Sequence, residues 1–282
     1  MKRKHILYNP LSGREFQKKI ELLKDIYKDS ELNFVDVRTI NLKEFFNLNL
    51  NEDIVICGGD GTLNKFVNLL DSEEFTNNIY YYPTGSGNDF YKDVCPKGSN
   101  KPILINDYLK DLPVVEVNGK QYKFINGVGF GIDGYCCEVG DKLKETSTKP
   151  VNYTSIAIKG LLFHYKTTNA TVIVDGVKHE FKNVWLAPSM IGKYYGGGMI
   201  PTPNQTRDNK ETLSVLLFMG KSKLNTLMIF PSIFKGEHVK KTKNTKVLSG
   251  KEITVIFDKP RSLQIDGETI LNVLEYTVRR HN

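Results

Sequence analysis

An apolar run, Ile54 to Cys57, ends in Gly58-Gly59-Asp60-Gly61-Thr62 and passes directly into a helical pattern in which Leu63, Phe66, Val67 and Leu70 share one face. A strand that turns on glycines into a helix commits this part of the chain to an α/β layout. Without a Cβ in the way, successive backbone N–H groups can turn toward one anion, and the helix start adds the positive end of its dipole. The stretch has the makings of a phosphate cradle. Asp60 on its own repels phosphate, so its presence suggests metal-assisted phosphoryl transfer rather than passive anion binding. As plain structure, the same residues make a strand-to-helix turn capped by Asp60 or Thr62.

A second apolar run, Ile79 to Tyr82, leads into Pro83-Thr84-Gly85-Ser86-Gly87-Asn88-Asp89-Phe90. Parallel neighbouring strands bring their carboxyl ends to one sheet edge, where open α/β folds hold their ligands. Asn88 and Asp89 could then meet Asp60 around one phosphate and its cation. Read only as structure, this segment is a turn followed by a helix cap.

Around these loops the first third alternates strand and helix. His5 to Tyr8, Phe34 to Arg38, Ile54 to Cys57 and Ile79 to Tyr82 are predicted strands. Phe16, Ile20, Leu23 and Tyr27 recur at helical spacing across Arg14 to Tyr27. The alternation predicts a doubly wound, mainly parallel sheet over residues 1–112.

From about Pro113 the texture changes to short β segments joined by Asn118-Gly119 and Asp175-Gly176, both hairpin signals. The expectation is a β-rich, sandwich-like second domain over 113–272, with residues 273–282 returning to the first. One helical interlude is read at Lys223 to Phe234, with Leu224, Leu227, Met228 and Phe234 turned toward an apolar surface, more readily the core than a membrane because the polar face is not strongly basic. Asp266-Gly267 is a third hairpin signal, distinguished by Glu268 two residues on. Paired carboxylates let one accept a proton while the other orients it or holds a cation.

With 39 Lys plus Arg against 32 Asp plus Glu, the net charge is +7. Much of the excess is local. Lys235 to Lys246 carries five lysines and one glutamate, and with Arg279 and Arg280 this could attract an anionic bilayer. Neither zinc-ligand spacing nor an RNA-binding signature supports a nucleic-acid partner. After the basic Met1-Lys2-Arg3-Lys4, the apolar run Ile6 to Tyr8 is too short for a secretory segment, and Leu213 to Met219 and Leu227 to Phe234 fall far short of a membrane span. Four cysteines at 57, 95, 136 and 137 form no metal or disulfide pattern. The expected location is cytoplasmic, with the inner face of a membrane within reach.

Taken together, Gly58 to Thr62, the Pro-x-Gly-Ser-x-Asn-Asp-Phe segment of Pro83 to Phe90, and Gln264-Ile265-Asp266-Gly267-Glu268 resemble the diacylglycerol kinase catalytic-domain family, which includes sphingosine kinase-like and bacterial lipid kinases. Asn9-Pro10-Leu11-Ser12-Gly13 is similar to that family's opening motif, so the resemblance runs from residue 9 to residue 268. It implies transfer of the γ-phosphoryl of ATP, with Mg²⁺, to the hydroxyl of a lipid, diacylglycerol first among them. On that basis Asn9, Ser12, Gly13 and Thr39 join Gly58, Gly59, Asp60, Gly61, Thr62, Gly85, Ser86 and Asn88 as nucleotide-binding candidates. Asp60 and Asp89 would act on the phosphates through the metal. Asp266 or Glu268 would take the hydroxyl proton, and the two can titrate as a pair. Gly196-Gly197-Gly198-Met199 is also family-like, but Thr206 to Leu213 lacks the Asp-Gly that many relatives carry near a second, structural cation. Lys210 falls near the expected acid, which leaves Asp208 as the candidate ligand there. Asn126, Gly129, Gly131 and Asp133 echo the family too, and hairpin packing accounts for them. Two other classes compete: a soluble NAD kinase or sugar kinase sharing the glycine loop, and a nucleotide- or lipid-binding regulator without catalysis.

Overall fold

The computed structural model describes residues 3–10, 16–69, 76–95, 99–146 and 151–280. The chain divides into two compact units, Met1–Leu112 and Pro113–Asn282.

The first unit runs β1 (Arg3–Tyr8), α1 (Phe16–Ile26), β2 (Glu31–Asp36), α2 (Leu42–Leu48), β3 (Asp53–Gly58), α3 (Asp60–Leu69), β4 (Asn78–Pro83), α4 (Asp89–Val94), β5 (Ile103–Leu104) and α5 (Asn106–Leu109). Its sheet order is β2-β1-β3-β4-β5, parallel throughout except for the short antiparallel β5. Ile54, Val55, Ile56 and Cys57 are each at most 2% exposed, the mark of a central strand covered on both faces. On one face Ile20 and Leu23 of α1 pack with Ile6, Val55 and Cys57. Asn41 starts α2 by accepting the Glu44 N–H at 3.2 Å, an Asn-x-x-Glu cap. The strand order reverses direction between β1 and β3, and such a switch point is where open α/β sheets leave a crevice beyond their carboxyl ends.

The second unit comprises β6 (Val114–Val117), β7 (Lys120–Lys123), β8 (Gly127–Phe130), α6 (Ile132–Thr146), α7 (Tyr153–Lys159), β9 (Thr168–Val174), β10 (Val177–Leu186), β11 (Ser189–Met190), β12 (Leu213–Met219), α8 (Lys223–Ile229), β13 (Thr245–Gly250), β14 (Glu252–Ile265) and β15 (Glu268–Arg279). A π turn, Gly160–His164, continues α7, and a 3-10 turn, Phe230–Lys235, continues α8. One sheet links all ten strands, and it closes on itself because β14 pairs with β9 through its first half and β8 through its second. The register shift between Ile256 and Arg261 is where that long strand changes neighbours. Inside, Phe130 stacks on Phe257 at 4.0 Å between centroids, and the Tyr276 hydroxyl donates to the Ala187 carbonyl at 2.9 Å.

Three expectations need correcting. Residues 273–279 do not return to the first unit: they lie in β15, which pairs with β14 and β6. The second unit holds more helix than the single interlude expected, above all the 15-residue α6. Its glycines are packing sites rather than turns: a Cβ on Gly134 would lie 1.9 Å from the Ser262 carbonyl oxygen of β14. Finally, Leu227 packs against the buried cluster beneath α8, but Leu224, Met228 and Phe234 do not point into it and are exposed.

Candidate active site

The Asn9-Pro10 segment follows β1, and only Gly59 separates β3 from α3, so both lie at the sheet's switch point. The Thr84–Asn88 loop follows β4 next to them. These loops are knitted together by backbone. The Gly58 carbonyl accepts the N–H groups of Thr84 at 2.9 Å and Gly85 at 3.3 Å, and the buried Tyr81 hydroxyl at 3.1 Å. Gly59 and Gly85 touch so closely that a Cβ on Gly85 would sit 2.5 Å from the Gly59 Cα. Gly58 faces Thr62 the same way, its virtual Cβ falling 2.4 Å from the Thr62 Cβ. Neither Gly58, Gly59 nor Gly85 has positive φ, so at these positions glycine provides space rather than a left-handed turn.

Asp60 ties the two loops. Its Oδ2 accepts the Asp89 N–H and its Oδ1 the Phe90 N–H, both at 2.9 Å, so the first residue of α3 caps the start of α4. Asp89 is 3% exposed, with the Lys92 Nζ 3.5 Å from its Oδ1. Asn88 adopts φ +52° and donates through Nδ2 to the Gly85 carbonyl at 2.6 Å. Its Oδ1 and the Thr84 Oγ1 are buried without a protein hydrogen-bond partner. Two orphaned polar atoms at the junction of two glycine loops are what a polar ligand would satisfy. Thr84 is one site residue that the sequence reading passed over, although it lies within the second motif. Another is Lys19, whose Nζ donates to the Pro83 carbonyl at 2.7 Å.

Gly61 and Thr62 lie in the first turn of α3, and Ser86 is exposed at the tip of its loop. Thr39 stands in the turn after β2, its hydroxyl donating to the Asp36 carbonyl at 2.9 Å. Ser12 and Gly13 fall outside the described residues. Among the described residues no three His, Cys, Asp or Glu side chains converge as a metal site. Asp60 and Asp89, the carboxylates at this junction, would suit a divalent cation held largely by phosphate and water.

In the second unit Asp266 occupies the β14–β15 turn at φ +48°. Its carboxylate accepts three consecutive backbone N–H groups: Ile125 at 2.6 Å on Oδ2, and Asn126 at 2.8 Å and Gly127 at 3.0 Å on Oδ1. From the other side Arg207, 7% exposed, donates to the Ile125 carbonyl and, at 2.6 Å, to the Asn126 Oδ1. Residues 125–127 are thus gripped by a carboxylate on their N–H groups and a guanidinium on their acceptors. Glu268, two residues beyond Asp266, is exposed. The adjacent Thr269 hydroxyl donates to the Asp141 Oδ2 at 2.7 Å, fixing the start of β15 against α6.

Asp208 is exposed, and arginine side chains pack around its loop. Besides Arg207, the buried Arg280 donates to the carbonyls of Asn209 and Thr212. Arg280 therefore belongs to the interior and not to the basic surface expected of the C-terminal arginines. Gly196, Gly197 and Gly198 take φ of 61°, 86° and 111° in a tight loop closed by paired Tyr195–Met199 hydrogen bonds. Its Tyr195 hydroxyl donates to the Asp133 Oδ2 at 3.1 Å. Asp133 lies in the first turn of α6, not in a hairpin, and its Oδ1 is buried without a partner although the residue as a whole is partly exposed. Burial pushes its pKa up to about 6. Gly129 makes room for this acid: a Cβ there would collide with the Asp133 carboxylate and the Gln264 amide. A cavity of about 400 Å³ opens beside α6, lined among others by Tyr135, Tyr165, Arg261 and Leu271.

Comparison with known proteins matches both units. Residues 3–112 match the family model of the diacylglycerol kinase catalytic domain, and residues 126–277 that of the YegS C-terminal NAD kinase beta sandwich-like domain. A diacylglycerol kinase of Staphylococcus carnosus is 26% identical over 95% of this chain and 89% of its own length. One of Mycobacterium tuberculosis is 23% identical over 66% of this chain, which spans 61% of that protein. The solved structure of a diacylglycerol kinase from Bacillus anthracis str. Sterne shares the fold, with a TM-score of 0.60 at 18% identity over 99% of this chain and 93% of that one. With the two matches in order and together covering most of its length, the chain belongs to the family of kinases that join a diacylglycerol kinase catalytic domain to a YegS C-terminal NAD kinase beta sandwich-like domain.

Proposed function

We propose that this protein transfers the γ-phosphoryl group of ATP to the hydroxyl of a membrane lipid of the diacylglycerol type. The observation that carries the reading is the pair of glycine loops at the switch point, joined by Asp60 and leaving Thr84 Oγ1 and Asn88 Oδ1 buried and unmatched. Backbone N–H groups of the glycine loop at the start of α3 would hold the phosphates. Mg²⁺ carried on the triphosphate would neutralise charge as the bond to the leaving oxygen lengthens, with Asp60 and Asp89 the carboxylates nearest that task.

In the second unit the hydrogen bonds of Asp266 favour one division of labour between it and Glu268. Three N–H groups already hold the Asp266 carboxylate and engage both of its oxygens in the turn. Asp266 then shapes the turn, and Glu268 takes the proton from the acceptor hydroxyl as its oxygen attacks the γ-phosphorus. The proton ends on Glu268, and ADP leaves.

The test is transfer of labelled γ-phosphate from ATP into a lipid extract, with mass identification of the product. A labelled phospholipid, lost with Glu268→Gln, supports the reading. Phosphorylation of NAD or a sugar without lipid turnover, or ATP binding without transfer to any acceptor, would replace it with one of the competing classes.

A further inference from the structure

The side chains of α8 and its 3-10 extension that were expected in the core face water instead: Leu224 is 65% exposed, Met228 66% and Phe234 43%. Leu224 and Met228 are four residues apart and so share one face of the helix. They do not stand alone. The Lys223 Nζ donates to the Leu162 carbonyl at 2.7 Å, and Ile156, Leu161, Ile229 and Ile233 belong to one buried cluster, so α7, its π turn and α8 form one layer. The most exposed large apolar side chain of that layer is Phe163, at 73%. An apolar group of this size turned to water on neighbouring elements marks a contact surface.

Charge says what the contact is. The segments 146–174 and 212–236, which supply the whole of α7, the π turn, α8 and the 3-10 turn, contain no Asp or Glu. At the chain's average of 32 acids in 282 residues, stretches of that combined length would hold about six. Exposed lysines stand directly beside the exposed apolar residues: Ile158-Lys159, Lys223-Leu224 and Phe234-Lys235, with Lys221 adjoining. An apolar tip next to a cation on a long aliphatic stem suits an interface that is anionic at its surface and apolar a few ångströms below, where the lysine reaches the phosphate level while its neighbour enters the acyl boundary.

We infer that this layer docks the protein on a bilayer containing acidic phospholipid. The inference rests on the lipid-kinase reading only in giving the protein a reason to visit a membrane, and it is tested without nucleotide. The full-length protein is sedimented with vesicles of phosphatidylcholine alone and of equal parts phosphatidylcholine and phosphatidylglycerol. Wild type should bind the acidic vesicles, and bind them less as salt rises. Phe163→Ser with Leu224→Ser and Met228→Ser should lower the partition coefficient about tenfold or more. Reversing Lys159, Lys221 and Lys235 to Glu should lower it about a hundredfold, at about fivefold per cation. Leu48→Ser with Leu50→Ser, equally exposed but in the first unit, should bind like wild type.

Melting curves establish that each variant folds, and the lysine set carries the test should the apolar set fail to. No binding by wild type, no loss in either patch variant, or an equal loss in the Leu48 and Leu50 control overturns the inference. So does an apolar variant that binds vesicles normally but turns an oligomer into a monomer, which would give the patch to a second copy of the chain. Turnover of a detergent-dispersed acceptor should survive in the patch variants. Failure of docking is thereby told apart from failure of the kinase reading.

Discussion

Asp266→Asn and Glu268→Gln should fail in opposite ways. Asparagine tolerates the φ of +48° at position 266, so the backbone is a constant in the comparison. The lost charge is not. Asp266 Oδ1 takes two N–H groups and Oδ2 one. The best orientation of an amide keeps its oxygen on Asn126 and Gly127 and sets its NH₂ against the Ile125 N–H, donor to donor. One charge-assisted bond is lost and two become neutral, at a cost of about 2–4 kcal/mol. For a unit of this size that lowers the melting midpoint by about 5–15 °C. Glu268 is exposed, so Gln there should shift stability by no more than about 0.5 kcal/mol, while kcat falls by about 10²–10⁴ if it is the base. Thermal melts and steady-state kinetics on both variants make the comparison. A stable, inactive Asp266→Asn beside a fully active Glu268→Gln would refute the assignment and return the base to Asp266.

Two further outcomes follow from the packing. Gly85→Ala puts a methyl group 2.5 Å from the Gly59 Cα, so the loops must part, and ATP affinity measured by calorimetry should fall about tenfold or more; unchanged affinity would mean the contact does not shape the site. Asp133 supplies a pH dependence: its folded pKa of about 6 stands above its unfolded value near 3.8, so between these limits the native state binds more protons than the unfolded one, and stability falls as pH rises. The loss should be about 3 kcal/mol and nearly complete by about pH 7, and Asp133→Asn should flatten denaturant midpoints across that window; an unchanged slope would assign it to other groups.

Much of the first unit was legible because its signals are local. The Ile54–Cys57 run is apolar at every position because β3 is buried on both faces, and the glycine loops announce themselves. β2 was placed three residues late. It begins at Glu31 opposite Arg3, and the polar Asn33 is held by its bond to His5 at 3.0 Å, a contact that no periodicity within the strand reveals. In the second unit α6 carries Ile132, Cys136, Val139 and Leu143 at helical spacing, but Gly134 and Gly140 read as breaks until the Ser262 carbonyl and the Tyr153 ring are seen against them. The stripe on α8 shows the limit of such patterns: spacing tells which residues share a face and not what that face meets. The same holds at Asp266 and Glu268. What holds the Asp266 carboxylate are residues 125–127, some 140 positions away, themselves held by Arg207, and no spacing near Asp266 points to either.

The pairing of β6 with β15 also orders events in time. Val114 meets Arg279, so nearly the first and nearly the last residues of the second unit are neighbours on adjacent strands, and β8 likewise waits for β14. During synthesis the first unit, whose parallel strands all precede residue 105, can close while the ribosome is still translating. The second cannot complete its ring until β14 has emerged, nor cover β6 until β15 has, so β6, β8 and β9 each keep one edge open through that interval, and it is there that a nascent chain has most need of a chaperone.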